Sequence, residues 1–75
     1  MSVTSKMTSE RLGQEVKSRR KQLGMNQAEL AMVSGTGVRF ISDLENGKTS
    51  CELGKTLSVL ANLGLEVQIT TRSGG

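Results

Sequence analysis

Two charges stand where apolar residues belong. Arg20 falls between Val16 and Leu23 on one apolar stripe, and Glu45 shares a second stripe with Ile41 and Leu44. A charge carried inward needs a partner, and the simplest partner for each is the other. The remaining chemistry is narrow. The 75 residues hold no histidine, no tyrosine and a single cysteine, Cys51. Cys51 has no imidazole base to activate it, one thiol cannot build a tetrahedral zinc site, and no phosphate-binding loop is present. No catalytic residue, metal or cofactor is therefore expected, and the chain does not read as an enzyme. Charge is more telling. Arg11, Lys17, Arg19, Arg20 and Lys21 face Glu15 alone within residues 11–21, a local balance of +4 in a chain of net charge +3. Such clustering suits a polyanion, and equally a solvated helix face.

A chain of this length forms one domain and buries only about 60% of the surface its unfolded form exposes. Without a disulfide or a metal, a second copy is the favoured support. Cys51 reads as a small half-buried residue at a helix start and fits a reducing cytosol. No run reaches the roughly 18 apolar residues of a membrane span, and "MSVTSKMTSE" lacks the apolar stretch of a signal peptide. No membrane partner is expected, and a domain this small leaves little room for a small-molecule pocket of the usual size.

The elements that must hold these residues are short. Thr8 or Ser9 caps a first helix with Glu10 in its first turn, Leu12, Val16 and Leu23 along its stripe, and Gly24 as its stop. Asn26 caps a second helix over 27–33, with Leu30 and Ala31 inward, and Gly35 supplies the positive φ of a tight turn. A third helix runs over 38–45. Ser50 caps a fourth over 52–63, with Leu53, Leu57, Leu60 and Ala61 inward, ended by Gly64. The period then changes: in "LEVQITT", Leu65, Val67 and Ile69 alternate with Glu66, Gln68 and Thr70, as in a half-buried strand. A lone strand leaves its backbone unpaired. Two copies of 65–71 pairing antiparallel about a two-fold axis remove that defect; the alternative is the sheet edge of another protein. The expected division is a flexible tail over 1–7, a helical domain over 8–64, a dimerisation strand over 65–71 and a disordered tail over 72–75.

Helices of seven or eight residues are unstable alone. Two of them held at a fixed corner by "SGTG" and braced by their neighbours describe a helix-turn-helix, whose second helix enters a DNA major groove. "LGQEVKSRRKQLGMNQAELA" followed by "ISDLENGKTS" resembles the xenobiotic-response-element (lambda-repressor-like) helix-turn-helix family. The match runs from Leu12 to Leu63, and Gln27, Leu30, Ala31, Gly35, Ile41, Glu45 and Gly47 carry it. "RFISDLENGK", a leucine-rich helix and then "LGLEVQI" resemble, more narrowly, HipB-type antitoxins of the Y4mF group. Gly37 departs from the family's usual Ser or Thr cap, and Phe40 from its frequent Thr.

The resemblance implies an all-α, four-helix lambda-repressor-like domain with one C-terminal β-strand pairing across a dimer. It implies a sequence-specific repressor in the bacterial cytoplasm, at the nucleoid. As the HipB-like antitoxin of a type II toxin–antitoxin operon, it would neutralise a HipA-like kinase toxin and repress its own operon at palindromic operators. A stand-alone phage-type or metabolic repressor without a toxin is the alternative. Val38, Arg39, Ser42 and Asp43 are the expected base-reading residues. The Arg39 fork matches guanine O6 and N7, Val38 suits a thymine methyl, and Asp43 suits cytosine N4, unless it orients Arg39 four residues earlier. Gln27, Asn46 and Lys48 are expected on phosphates. Phe40 reads as core filler ahead of a DNA wedge. Arg20 and Glu45 resemble the buried ion pair of the phage repressors and read as architecture.

Overall fold

Each helix begins and ends for a local reason. The computed structural model describes residues 7–71. Helix α1 (Ser9–Gln22) is capped by Thr8, whose Oγ1 accepts from the Arg11 amide at 3.0 Å. Glu10 sits in its first turn and Arg19, Arg20 and Lys21 in its last, each sign at the favourable end of the helix dipole. Gly24, at φ 72°, turns the chain out. Helix α2 (Gln27–Ser34) opens with a reciprocal capping box that the sequence reading did not include. The Glu29 amide donates to Asn26 Oδ1 at 2.7 Å, and the Asn26 amide donates to Glu29 Oε1 at 2.8 Å. Gly35, at φ 70°, closes it in the left-handed conformation. Helix α3 (Val38–Glu45) starts at Gly37 with no side-chain cap, and helix α4 (Leu53–Asn62) starts at Glu52, also uncapped. Ser50 does not cap α4, because the chain runs on two residues before turning helical.

The core is Val16 from α1, Leu30 and Ala31 from α2, Ile41 and Leu44 from α3, and Val59, Leu60 and Leu63 from the α4 end. Helix α3 packs on α1 and α2, and α4 packs on α2. Buried Gly13 sets the α1–α3 approach. A Cβ there would stand 2.7 Å from the Glu45 carbonyl oxygen, so the two backbones meet with no side chain between them.

Helix α4 corrects the sequence reading. Leu53 and Leu57 are exposed, at 69% and 46%, and Ala61 is exposed too. Thr56, Val59 and Leu60 face inward instead. Both stripes obey the helical period and share Leu60, so the pattern alone does not choose between them. Thr56 can turn inward because its hydroxyl donates to the Glu52 carbonyl at 2.9 Å. Ser58 Oγ donates to the Ser34 carbonyl at 3.0 Å and holds this rotation against α2. Leu23, expected on the α1 stripe, is likewise 45% exposed.

The Leu65 amide donates to the Leu60 carbonyl at 2.9 Å, and beyond it residues 65–71 form no strand among the described residues. Leu65 is half-buried against the core, while Val67 and Ile69 stand 58% and 92% exposed. Beside them the outward leucines of α4 form an open groove of about 500 Å³, lined by Leu12, Leu53, Leu57, Leu60, Leu65 and Val67 among others. That volume is within the range of small-molecule pockets, so the expectation of too little room does not hold. The leucines left on the α4 surface make the space. The tails over 1–6 and 72–75 lie outside the described residues. No helix among the described residues is long and apolar enough to cross a membrane.

Candidate nucleic-acid interface

Burial of Arg20 and Glu45, each 8% exposed, is made possible by complete pairing. Arg20 Nε donates to Glu45 Oε2 at 2.6 Å and Nη2 donates to Glu45 Oε1 at 3.0 Å, the two-pronged geometry in which guanidinium and carboxylate match best. Arg20 Nη1 donates to the Met25 carbonyl at 2.9 Å and so also fixes the entry to α2. The hydrogen bond to Glu45 raises the Arg20 pKa above its ordinary value. At Glu45, burial pushes the carboxyl up. Hydrogen bonds from Arg20 and Gln27, with the positive charges of Arg20 and Lys17, outweigh that and hold it below the usual carboxylate range. One pair of charges thus ties α1, the α2 entry and the last turn of α3 together.

Gln27 belongs to the same network. Its Nε2 donates to Glu45 Oε1 at 3.0 Å, and the side chain is half-buried. Its second amide hydrogen, and its backbone amide at the open first turn of α2, are free of that bond. Sequence reasoning missed this link. No sequence signal points to it: only the fold, in which Arg20 also reaches the Met25 carbonyl two residues before Gln27, sets the Glu45 carboxylate beside the start of α2.

The outward face of α3 carries Val38 and Arg39, both exposed, with Ser42 and Asp43 half-exposed. Asp43 does not take Arg39 as its partner. It pairs with Lys48, Nζ to Oδ2 at 3.4 Å, and its backbone carbonyl also accepts from the Lys48 amide at 3.0 Å. The tight turn through Gly47, at φ 84°, brings Lys48 back to the end of the helix. Exposed Asn46 closes α3 through its amide on the Ser42 carbonyl. Phe40 packs half-buried against the core, and Lys55 Nζ lies 5.9 Å from its ring centroid. Lys55 was not a candidate, since α4 pattern alone does not say which helix its first turn faces. Cys51 is half-buried beside the core.

A short helix with an outward polar face, held at a fixed corner to a second and braced by α1 and α4, is the geometry of a major-groove reader. Residues 16–53 match the helix-turn-helix family model. This chain is a member of that family. The uncharacterized HTH-type transcriptional regulator y4mF of Sinorhizobium fredii (strain NBRC 101917 / NGR234) is 47% identical to it over 58 residues, covering 77% of this chain and 76% of that one. Among solved structures, a HipB variant in complex with an O2 20mer superposes on 96% of this chain and 100% of its own, with TM-score 0.80 and 28% identity. A HipA–HipB–O2–O3 complex contains a chain matched over 95% of this one and 100% of itself, with TM-score 0.80 and 25% identity. This regulator therefore has the lambda-repressor-like helix-turn-helix fold, with HipB chains as structural neighbours, and DNA-binding transcriptional regulation is its activity.

Proposed function

We propose that this helix-turn-helix regulator is the HipB-like antitoxin of a type II toxin–antitoxin operon. It binds a HipA-like kinase toxin and represses its own operon at palindromic operators in the cytoplasm of a bacterium. The observation that carries this reading is that the likeness to HipB runs the whole length of the HipB chain, beyond the helix-turn-helix itself. A shared DNA-binding corner alone would require only the central half.

In this reading residues 8–64 read DNA and 65–71 join two copies. The strands pair antiparallel about a two-fold axis through Leu65, Val67 and Ile69. The exposure of Val67 and Ile69 supports this, as does the apolar groove beside them. Val38, Arg39, Ser42 and Asp43 contact bases, and Gln27, Asn46 and Lys48 contact phosphates. Arg20 and Glu45 hold α3 and Gln27 in register for both.

The test is isolation of the tagged chain from its native cells, with footprinting of its own promoter. A co-purifying HipA-like kinase and two protected half-sites about one helical turn apart are expected. Protection of the promoter without a kinase would make it a stand-alone phage-type or metabolic repressor. Arg39→Ala is expected to relax preference at one base pair per half-site, by roughly 1–3 kcal/mol. Gln27→Ala is expected to weaken all sequences about equally, because a phosphate looks the same under every base.

A further inference from the structure

Asp43 is poorly placed on two counts. It lies in the last turn of α3, at the negative end of the helix dipole, where an acid is disfavoured. It also stands four residues after Arg39, on the same outward face, and that face meets polyanionic DNA in the proposed function. A carboxylate there repels phosphate and leaves itself unpaired against the acceptors N7, O6 and O4 of the major groove. Its one ion pair among the described residues is with Lys48, which it holds through both its side chain, at 3.4 Å, and its backbone carbonyl, at 3.0 Å. Lys48 is itself a phosphate-contact candidate, with 53% of its side chain exposed. The pair therefore takes one cation out of the DNA-binding surface while no DNA is present.

We propose that Asp43 and Lys48 form an electrostatic gate that couples base reading to phosphate anchoring. On unrelated DNA the pair stays closed: Lys48 is neutralised and Asp43 adds repulsion. At a site whose groove offers a donor, cytosine N4 or adenine N6, the base takes the carboxylate and Lys48 turns to the neighbouring phosphate. Specificity then comes from a penalty on wrong sites as well as a gain on the right one. The inference rests on the DNA-reading proposed above and deepens it.

The experiment uses the full chain and two duplexes of about 20 base pairs, long enough for two half-sites one turn apart. One is recovered by the wild-type chain from a random-sequence pool; the other is its scrambled counterpart. Affinities of wild type, Asp43→Asn, Lys48→Ala and the double variant are measured over a range of salt. Asp43→Asn is expected to bind the scrambled duplex roughly threefold or more tighter, with the slope of log K against log salt steeper by about one, for one further phosphate contact. Its affinity for the selected duplex should not rise in step, so the ratio between the two falls. Lys48→Ala should weaken scrambled binding more in the Asp43→Asn background than in the wild type, and the double variant should keep only the part of the gain that comes from relieved repulsion. If Asp43→Asn leaves scrambled binding and its salt slope unchanged and only weakens the selected duplex, Asp43 is a plain base reader and the gate is wrong. If Lys48→Ala weakens scrambled binding equally in both backgrounds, Lys48 was never held back, and the gate is again wrong. A wild-type chain that recovers no preferred sequence from the pool overturns the proposed DNA-reading itself, and the gate with it.

Discussion

Helix α3 carries charge inward and helix α4 carries leucine outward. Glu45 is 8% exposed, while Leu53 is 69% exposed. The buried charge is complete within one chain, since Arg20 and Gln27 together supply three hydrogen bonds to the Glu45 carboxylate. Among the described residues the exposed leucines have no such closure. They line an open groove beside a segment, 65–71, whose backbone has no ladder partner. The contrast separates two ways in which a small domain breaks the usual inside–outside rule. A polar group enters the core when the chain itself satisfies it. A contiguous apolar surface stays outside when something beyond the chain covers it. The Arg20–Glu45 pair is satisfied within one chain, and under the function proposed above the groove half takes a second copy.

The sharpest way to break the first half is to remove one member of the pair. Arg20→Ala and Glu45→Ala are each expected to lower unfolding stability by about 3–5 kcal/mol, because each leaves the other charge buried and unpaired. The double variant should lose less than the sum, and a double-mutant cycle in denaturant measures the difference. Strict additivity would mean that the two charges do not act as a unit.

Gly13→Ala comes next, at roughly 1–3 kcal/mol, since its Cβ meets backbone rather than a side chain that can swing aside. The same substitution at exposed Gly54, whose Cβ would lie 3.7 Å from the Glu52 carboxylate, is expected to be neutral or slightly stabilising. Thermal melts of the two variants compare backbone contact with open space directly.

A smaller effect comes from pH. The Glu45 carboxyl is held below its ordinary range in the folded chain, so the unfolded chain takes up the proton first. Stability from this group is fully present above the unfolded glutamate pKa, about 4.3. It falls as pH drops through that value and is gone once pH passes the lower folded pKa. Denaturation curves from pH 6 downward, to about pH 2, should therefore be steeper in acid for wild type than for Glu45→Gln. Parallel curves would place the acid sensitivity in other carboxylates.

The groove half should respond least in the isolated fold. Leu57→Ser is expected to change the stability of the dilute monomer by no more than about 0.5 kcal/mol, since a half-exposed side chain loses little. Under the proposed function, sedimentation should nevertheless shift toward monomer relative to wild type at the same concentration, and removal of residues 65–75 should do the same. A Leu57→Ser chain that remains dimeric would move the interface off this groove.

Local elements were legible because their causes are local. Asn26, Gly24 and Gly35 announce the ends of α1 and α2, and α3 has the expected limits, 38–45. The charges at 20 and 45 were legible as misfits on apolar stripes, and a buried misfit implies a partner. The phase of α4 was not legible, because two stripes of equal period share Leu60; the packing of Val59 and Leu63 in the core and the Ser58–Ser34 hydrogen bond go with the stripe that is buried. Gly13 was not legible either, since its role depends on the last turn of α3, some thirty residues away.

The amino-acid order by itself determined where the first three helices start and stop, to within a residue, which residues are basic, and that a short corner presents Arg39 and its neighbours. Those properties depend on residues within a turn or two of one another. Tertiary structure alone decided that Asp43 faces Lys48 rather than Arg39, that Gln27 joins the Arg20–Glu45 network, and that Leu53 and Leu57 remain on the surface. Helical spacing restricts a side chain to a face. Which of two equally spaced partners it meets depends on the rotation and approach of whole helices, and backbone contacts such as that at Gly13 set these across the fold.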